Sequence, residues 1–362
     1  MPQKEQNSDI CSRTKDEFFI RETFTIAKKA KSLTYPNPLV GALLIKNNEI
    51  IGEGYHKKYG GPHAEVEAIN DCLHKGNSPK DSTLYVSLEP CSHHGKTPPC
   101  TDLIIKSGIK KVVFPFMDPN PKVNGLEELK KAGIETTCGI LAHQARSFNQ
   151  AFLKHQTTGM PFVTLKIASS IDFKIWSPEI TKITGLESQK FVHELRSKST
   201  SVLTGIGTIL KDNPYLTVRL VKGKNPTPVI LDSTLKIPLK SNVLKQKNTI
   251  ICTTIKNSPK KEQLKKLGIK ILTFKTLSNL KPILKKLADL GHINILVEGG
   301  QKIINSFINQ NLTDRILLLI SDIELGEYGP ATLPKSLPNF EITNTKKLKK
   351  DIMLELRQIH HL

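Results

Sequence analysis

The sequence of 362 residues has no apolar run that approaches the roughly 20 residues of a membrane span. Its first segment, Met1 to Lys15, is polar and lacks the apolar core of a secretory signal. Hydrophobic residues make up 38% of the chain and charged residues 24%, as is usual for soluble globular proteins. We therefore expect a cytoplasmic protein with no membrane partner.

Cysteine is also scarce. A chain of this size with six cysteines is not a disulfide-stapled scaffold, so metal binding or plain burial is the better explanation for them. Cys91 and Cys100 lie on either side of a segment that contains two histidines, His93 and His94. These two thiols are therefore the candidate metal ligands among the cysteines.

Acidic residues are outnumbered by basic ones, 33 against 53, which gives a formal net charge of +20. Such a charge suits either a nucleic acid or a phosphorylated small molecule. The lysines are scattered and have no aromatic residues interleaved with them, as a surface that stacks nucleotide bases would need. We therefore expect no nucleic-acid partner, and a protein that binds RNA or edits nucleic acids is the rival hypothesis.

The length suggests two domains, and no internal repeat relates the halves. In each half apolar strand patterns alternate with helix patterns, which predicts two α/β domains. The predicted divisions are a polar tail over 1–15, a first domain over 16–148, a linker over 149–160 and a second domain over 161–362.

A histidine and two cysteines form the most informative pattern, in Pro62-His63-Ala64-Glu65 and in Pro90-Cys91 with Cys100. Three such ligands leave the fourth position of a zinc ion open to water, as hydrolytic deamination requires. Glu65 can approach the same metal if His63 lies at a helix start, which Pro62 favours, and can then move protons without being a ligand. Together these residues predict a zinc-dependent deaminase.

The spacing between Cys91 and Cys100 indicates which class of zinc-dependent deaminase this is. Base and nucleoside deaminases use Pro-Cys-x-x-Cys, whereas eight residues separate Cys91 from Cys100 here. The inserted loop, Ser92-His93-His94-Gly95-Lys96-Thr97-Pro98-Pro99, resembles that of the bifunctional riboflavin-biosynthesis deaminase/reductase family. Three further stretches match the same family: Thr34 to Gly41, Gly52 to His56, and Asp118 to Pro121.

For the first domain, the resemblance implies a cytidine-deaminase-like three-layer α/β/α fold. It makes His63, Cys91 and Cys100 the zinc ligands and Glu65 the catalytic proton shuttle. The substrate-binding residues it implies are Asn37, His56, His93 and Lys96, although a solvated loop is the alternative explanation for His93 and Lys96. The implied substrate is 2,5-diamino-6-(5-phosphoribosylamino)pyrimidin-4-one, which is deaminated to the corresponding uracil.

For the second domain, the resemblance implies a dihydrofolate-reductase-like α/β fold that reduces 5-amino-6-(5-phosphoribosylamino)uracil with NADPH. The matching stretches include Leu165 to Asp172, Gly205 to Arg219, and Val297 to Gly300. The implied substrate-binding residues are Arg196, Leu216, Arg219 and Glu298. The implied cofactor-binding residues are Ala168, Thr208, Asp212, Ser233, Gly299 and Gly300. The family also implies a homo-oligomer, either a dimer or a tetramer.

The chemistry of some of these residues also predicts phosphate binding, independently of the resemblance. A Glu298-Gly299-Gly300 segment between strand and helix lets backbone N–H groups approach a phosphate, while Arg196 and Arg219 can grip a phosphate through two parallel hydrogen bonds. Because no Gly-x-Gly-x-x-Gly fingerprint is present, the sequence does not discriminate NADPH from NADH.

The second domain also departs from its family. Phe173 stands where the family has glycine, Lys182-Ile183-Thr184 replaces a Trp-Ile-Thr run, and Trp176 does not align with that tryptophan. The alternative hypothesis is therefore a monofunctional deaminase with a degenerate, non-catalytic reductase domain.

Overall fold

The structure, a computed structural model, describes residues 2–95, 97–177, 182–328, 331–332, 337 and 339–359. It divides into two compact units between Thr158 and Gly159. Each unit is a mixed α/β domain with its own sheet, which confirms the predicted fold class. Within the part of the chain that the structure describes, none of the helices is both long enough and apolar enough to cross a membrane.

The first unit is built on a five-stranded sheet in the order β2-β1-β3-β4-β5. The strands are β1 (Gly41–Lys46), β2 (Glu49–Tyr55), β3 (Thr83–Val86), β4 (Lys111–Phe114) and β5 (Glu135–Cys138). The helices are α1 (Pro2–Ala27), α2 (Ala64–His74), α3 (Cys100–Lys106), α4 (Gly125–Lys131), α5 (Ala142–Phe148) and α6 (Gln150–Thr158). Strand β1 is antiparallel to β2 and β3, whereas β3, β4 and β5 are parallel.

Apolar side chains cover both faces of this sheet. Along β3, Leu84 and Val86 pack into a core with α2, α3 and α4, and the alternate residue Tyr85 packs into a second core with α1 and α6. Neighbouring side chains of a strand point to opposite faces, so two cores on one sheet mean three layers. The predicted α/β/α layering is confirmed.

Two predicted boundaries differ from the structure. The segment expected to be a linker over 149–160 is mostly α6, whose Ala151 and Phe152 are buried against the first domain. Gly159, with φ of +66°, follows the last turn of α6 and stops this helix. At the other end, α1 (Pro2–Ala27) includes residues 2–15 of the segment predicted as a polar tail over 1–15.

The second unit contains a nine-stranded sheet in the order β11-β10-β9-β8-β12-β6-β13-β16-β15. Its strands are β6 (Phe162–Ser169), β8 (Ser201–Gly205), β9 (Thr227–Leu231), β10 (Ile250–Thr253), β11 (Lys270–Thr273), β12 (Asn294–Glu298), β13 (Arg315–Ile320), β15 (Phe340–Leu348) and β16 (Asp351–Gln358). Two short strands pair separately, β7 (Lys174–Trp176) and β14 (Ala331–Thr332). The helices are α7 (Leu186–Lys198), α8 (Ile206–Asp212), α9 (Pro259–Lys266), α10 (Lys281–Asp289) and α11 (Gln301–Asn309).

The order of these strands determines where a ligand can bind in the second unit. After β8 the chain runs outward to β11, then returns to place β12 between β8 and β6. All three strands are parallel, so their carboxyl ends meet at one edge of the sheet. Ligands of open α/β sheets bind in the crevice where the strand order reverses, which here is the end of β6, β8 and β12.

Candidate functional site

Three elements bring the candidate metal ligands of the first domain together. His63 caps the start of α2, Cys91 follows β3, and Cys100 is the first residue of α3. Their ligand atoms all lie within 4.8 Å of one another. The His63 Nδ1 atom is 3.4 Å from the Cys91 Sγ atom and 3.3 Å from the Cys100 Sγ atom. One nitrogen and two sulfurs around one point are the donor set of a zinc site with an open position, so these residues fit zinc.

The electrostatics of the site favour the charge state that a metal needs. Hydrogen bonds from the Cys100 thiol and from His63 lower the pKa of Cys91 to about 4, although burial opposes this change. The same contact raises the pKa of Cys100, because its proton serves the Cys91 thiolate. A thiolate is therefore already favoured at Cys91, and thiolates are the form in which cysteine binds metals.

Glu65 lies on the first turn of α2 and its side chain is only 4% exposed. Burial raises the pKa of its carboxyl group to about 7, while the nearby His63 opposes the shift. A carboxyl group that titrates near neutral pH can both accept and return a proton under physiological conditions. The predicted proton shuttle is thus buried beside the candidate ligands.

A cavity opens over this cluster and is lined by Asn37, His56, Glu65 and His93, among other residues. The His56 Nδ1 atom lies 2.9 Å from the carbonyl oxygen of Pro62, and its Nε2 atom lies 3.2 Å from the Asn37 Nδ2 atom. Burial lowers the pKa of His56. A neutral imidazole that donates from Nδ1 to the carbonyl accepts from the Asn37 amide at Nε2, so the two side chains orient each other.

Three of the four predicted substrate-binding residues therefore line one cavity. Lys96, the fourth, lies outside the described residues. The structure adds Asp118 to the lining, where burial raises the pKa of its carboxyl group to about 6. Asp118 belongs to a stretch that matched the family, but sequence reasoning gave it no role.

Two further residues of this site were missed. The Thr97 Oγ1 atom lies 3.3 Å from the Nε2 atom of His63, on the opposite side of the ring from the two sulfurs. Glu89, which is 3% exposed, accepts hydrogen bonds from the backbone N–H groups of Asp118 and Leu126. Its position directly before Pro90-Cys91 was the available signal. Both residues fix the surroundings of the ligands rather than provide one.

In the second domain, Arg196 on α7 and Glu298 at the end of β12 form a bidentate ion pair. The Nε and Nη2 atoms of Arg196 lie 2.6 and 2.9 Å from the two carboxylate oxygens, and each side chain is 11% exposed. The Nη1 atom donates to the carbonyl oxygen of Thr217. The expectation that Arg196 grips a phosphate through two parallel bonds is therefore wrong for this edge of the guanidinium, because Glu298 already uses it.

Lys166 is a residue that sequence reasoning missed at the same place. It lies on β6 in register with Glu298 on β12, and burial lowers the pKa of its amine. The lysine stood in a stretch that matched the family, so its position was visible but its partner was not. A buried lysine with a lowered pKa is a common feature of active sites.

The predicted substrate residues Leu216 and Arg219 lie on the loop that follows α8. Leu216 is 3% exposed, has φ of +54° and packs among Val202, Ile209 and Ile230. Its side chain thus anchors the loop in the core, which leaves only its backbone to meet a ligand. Arg219 is exposed, and its Nη1 atom donates to the Thr217 Oγ1 atom at 2.8 Å.

The predicted cofactor residues follow or end the central strands of the sheet. Ala168 lies near the end of β6, Ser233 follows β9, and Gly299 and Gly300 join β12 to α11. A Cβ atom on Gly299 would come within 2.7 Å of the Ile303 side chain, so this turn requires glycine. Thr208 and Asp212 lie on α8, which follows β8. Ala168, Gly299 and Gly300 thus lie at the carboxyl ends of β6 and β12, where the strand order switches and where open α/β sheets bind ligands.

Comparisons with known proteins match both domains. The model of the cytidine and deoxycytidylate deaminase zinc-binding region matches residues 13–116, and that of the RibD C-terminal domain matches residues 161–354. The riboflavin biosynthesis protein RibD of Aquifex aeolicus is 43% identical over 334 residues, which cover 89% of this chain and 93% of the relative.

Solved structures agree over nearly the whole length. A Thermotoga maritima protein described as a diaminohydroxyphosphoribosylaminopyrimidine deaminase/5-amino-6-(5-phosphoribosylamino)uracil reductase superposes with a TM-score of 0.86 at 36% identity, covering 96% of this chain and 99% of that chain. Acinetobacter baumannii RibD superposes with a TM-score of 0.86 at 32% identity and the same coverage.

Proposed function

The chain belongs to the RibD family of riboflavin-biosynthesis proteins, and on that premise we propose which of its residues carry the deaminase and reductase activities. It is a bifunctional enzyme with a zinc-binding deaminase domain and a reductase domain. The substrates we propose are those in the description of the Thermotoga maritima relative, the diaminopyrimidine that bears a phosphoribosylamino group and its deaminated uracil product.

For the deaminase, His63, Cys91 and Cys100 hold one zinc ion, which when bound supplies the Lewis acidity that activates water. Glu65 accepts a proton from that water, holds it, and returns it to the amine that leaves as ammonia. Asn37, His56, His93 and Lys96 bind the substrate in the cavity above. The observation that carries this proposal is the convergence of the three ligand atoms within 4.8 Å beside the buried Glu65 carboxyl group.

For the reductase, residues at the carboxyl ends of β6, β8 and β12 would hold NADPH, which would supply the hydride that reduces C1 of the opened ribose. Its binding residues are Ala168, Thr208, Asp212, Ser233, Gly299 and Gly300. Arg219 binds the substrate phosphate, and the loop backbone at Leu216 contacts the sugar. Lys166, held beside Glu298, provides the proton that the reduced sugar requires, since burial lowers its pKa. Arg196 holds Glu298 in place.

The alternative of a non-catalytic reductase domain rested on Phe173, on the Lys182-Ile183-Thr184 run and on the unaligned Trp176. The turn that contains Phe173 keeps a dense set of hydrogen bonds: the Phe173 N–H donates to the Ser170 carbonyl, and the Asp172 carboxylate accepts from the N–H groups of Leu325 and Gly326. A turn that is held around Phe173 by these hydrogen bonds supports an active domain. Residues 178–181, just before the Lys182-Ile183-Thr184 departure, lie outside the described residues.

A single preparation of the purified chain tests the proposal. We expect one zinc per chain, ammonia release from the diaminopyrimidine substrate, and oxidation of NADPH, faster than of NADH, once deaminated product is present. Ammonia release without oxidation of either nucleotide would establish the non-catalytic reductase instead. Light scattering on the same preparation tests the homo-oligomer that we propose from the family.

A further inference from the structure

One face of α7 organises the loop that presents Arg219. The Arg196 guanidinium donates to the Thr217 carbonyl oxygen at 3.0 Å, and the His193 Nδ1 atom accepts from the Arg219 backbone N–H at 2.8 Å. Further along, Gly223 lies so close to Ser197 that a Cβ atom would come within 2.5 Å of the serine Cβ. His193, Arg196 and Ser197 are three and four residues apart, so they share one side of the helix.

The loop is held in a demanding conformation. Leu216 has φ of +54°, a left-handed value that is costly for a leucine and persists only when surrounding contacts enforce it. The Arg219 side chain is guided by the Thr217 hydroxyl and lies 5.3 Å from the centre of the Tyr215 ring. Its backbone N–H, by contrast, is directed at His193. The backbone contact therefore sets the position from which the guanidinium extends.

We propose that His193 is a positioning residue of the reductase: by accepting the Arg219 N–H, it fixes the direction in which the Arg219 guanidinium meets the substrate phosphate. This inference rests on the phosphate role proposed above for Arg219. Because His193 is only 6% exposed, it acts on the substrate phosphate through Arg219 and does not contact the phosphate itself.

The protonation state of His193 suits this role. Burial, together with the positive charges of Arg196 and Arg219, lowers the pKa of His193 to about 4, against the weaker effect of Glu298. At neutral pH the imidazole is therefore uncharged, with its proton on Nε2 and a free lone pair on Nδ1. A cationic imidazole would have no acceptor to offer the Arg219 N–H.

The test compares variants of the full-length enzyme at His193 by steady-state reduction of 5-amino-6-(5-phosphoribosylamino)uracil. His193→Leu removes the acceptor, and we expect KM for this substrate to rise about tenfold while kcat stays within about twofold. His193→Asn places its Oδ1 atom where Nδ1 lies, so KM should stay within about twofold of the parent value. Inorganic phosphate, used as a competitive inhibitor, should bind more weakly to His193→Leu in the same ratio.

The outcomes separate this inference from the proposal beneath it. If Arg219→Met leaves KM unchanged, the phosphate role of Arg219 is wrong. If Arg219→Met raises KM but the leucine and asparagine variants share one KM, the positioning role of His193 is wrong and Arg219 keeps its role. A fall in kcat alone for His193→Leu also contradicts positioning.

A second pair of variants covers the case in which His193→Leu does not fold. His193→Gln carries its amide one bond further, to the place of Nε2, and so loses the contact that His193→Asn keeps. We expect only the glutamine variant to show a raised KM. Equal KM values in these two variants would overturn the inference.

Discussion

In the first domain the three candidate metal ligands come within 4.8 Å of one another and lie in one segment from His63 to Cys100. The second domain draws its candidate residues from strand ends, loops and two helices between Ala168 and Gly300. A metal site requires particular ligand residues at particular spacings, so a short sequence pattern is enough to predict the first site. A crevice at strand ends is formed by residues that the order of the strands brings together from distant parts of the chain. Its side chains bind one another, as Arg196 and Glu298 do, as well as ligands. Variants that affect only one domain test this difference.

The largest effect is expected at Glu65. In Glu65→Gln the proton shuttle is lost while His63, Cys91 and Cys100 remain, so ammonia release should fall by roughly 10²- to 10⁴-fold with zinc content unchanged. Reduction of deaminated substrate by the same preparation should keep its parent rate. Ammonia release near the parent rate would rule out Glu65 as the shuttle.

The buried ion pair of the second domain should show the next effect. Glu298→Gln leaves Arg196 without its buried partner, and breaking such a pair costs about 3–5 kcal/mol of unfolding free energy. The only tryptophan of the chain, Trp176, lies in this domain, so its fluorescence can follow chemical unfolding there. The matched control is Glu262→Gln, which breaks an exposed pair with Lys265 and should leave the free energy of unfolding close to the parent value. Equal changes in the two variants would contradict the role of the buried pair.

A smaller effect is expected from Thr97, which contacts a ligand without being one. Thr97→Val removes the hydroxyl group beside the His63 Nε2 atom, and loss of such a contact weakens metal affinity by roughly 10- to 100-fold. Thr97→Ser retains the hydroxyl and should bind zinc like the parent. Competition with a chelator of known affinity measures both variants, and identical affinities would show that this contact does not orient His63.

Acid should weaken the second domain through His193. Its pKa falls from an ordinary 6.5 to about 4 on folding, so the unfolded chain binds more protons in this window and stability is lost as the pH drops below 6.5. We expect a loss of about 1 kcal/mol from this group between pH 7 and pH 5, allowing for partial screening by solvent. His193→Asn cannot titrate, so its unfolding followed by Trp176 fluorescence should depend less on pH. An unchanged pH dependence would assign the acid sensitivity to other groups.

The contrast between the sites also explains what the sequence could predict. The alternation of strand patterns with helix patterns predicted two α/β domains, and the motif from His63 to Cys100 predicted the metal ligands, because both depend on local periodicity or spacing. The three-layer arrangement of the first domain was implied by the resemblance to the family. The partnership of Arg196 with Glu298 joins residues far apart in the chain, so a phosphate grip was expected where an ion pair lies. The helix α6 was taken for a linker, because the burial of Phe152 depends on tertiary contacts that its composition does not show.

The smallest effect is expected at Phe173, where the sequence was predicted to depart from its family. Replacing this residue tests whether it lowers the stability or the activity of the second domain. Phe173 has φ of +61° and is 51% exposed, so a glycine at this position would relieve a left-handed strain and lose little packing. Phe173→Gly should therefore raise the free energy of unfolding by roughly 0.5–1 kcal/mol, after the greater flexibility of glycine in the unfolded chain is subtracted. Ile171→Gly is the matched control, because Ile171 is 57% exposed in the same turn and is not left-handed, so glycine there should lower stability. If Phe173→Gly is stabilised and reduces substrate at the parent rate, Phe173 costs the domain stability but not its chemistry. If Phe173→Gly is more stable and also reduces the substrate faster than the parent enzyme, the Phe173 ring of the parent obstructs the crevice.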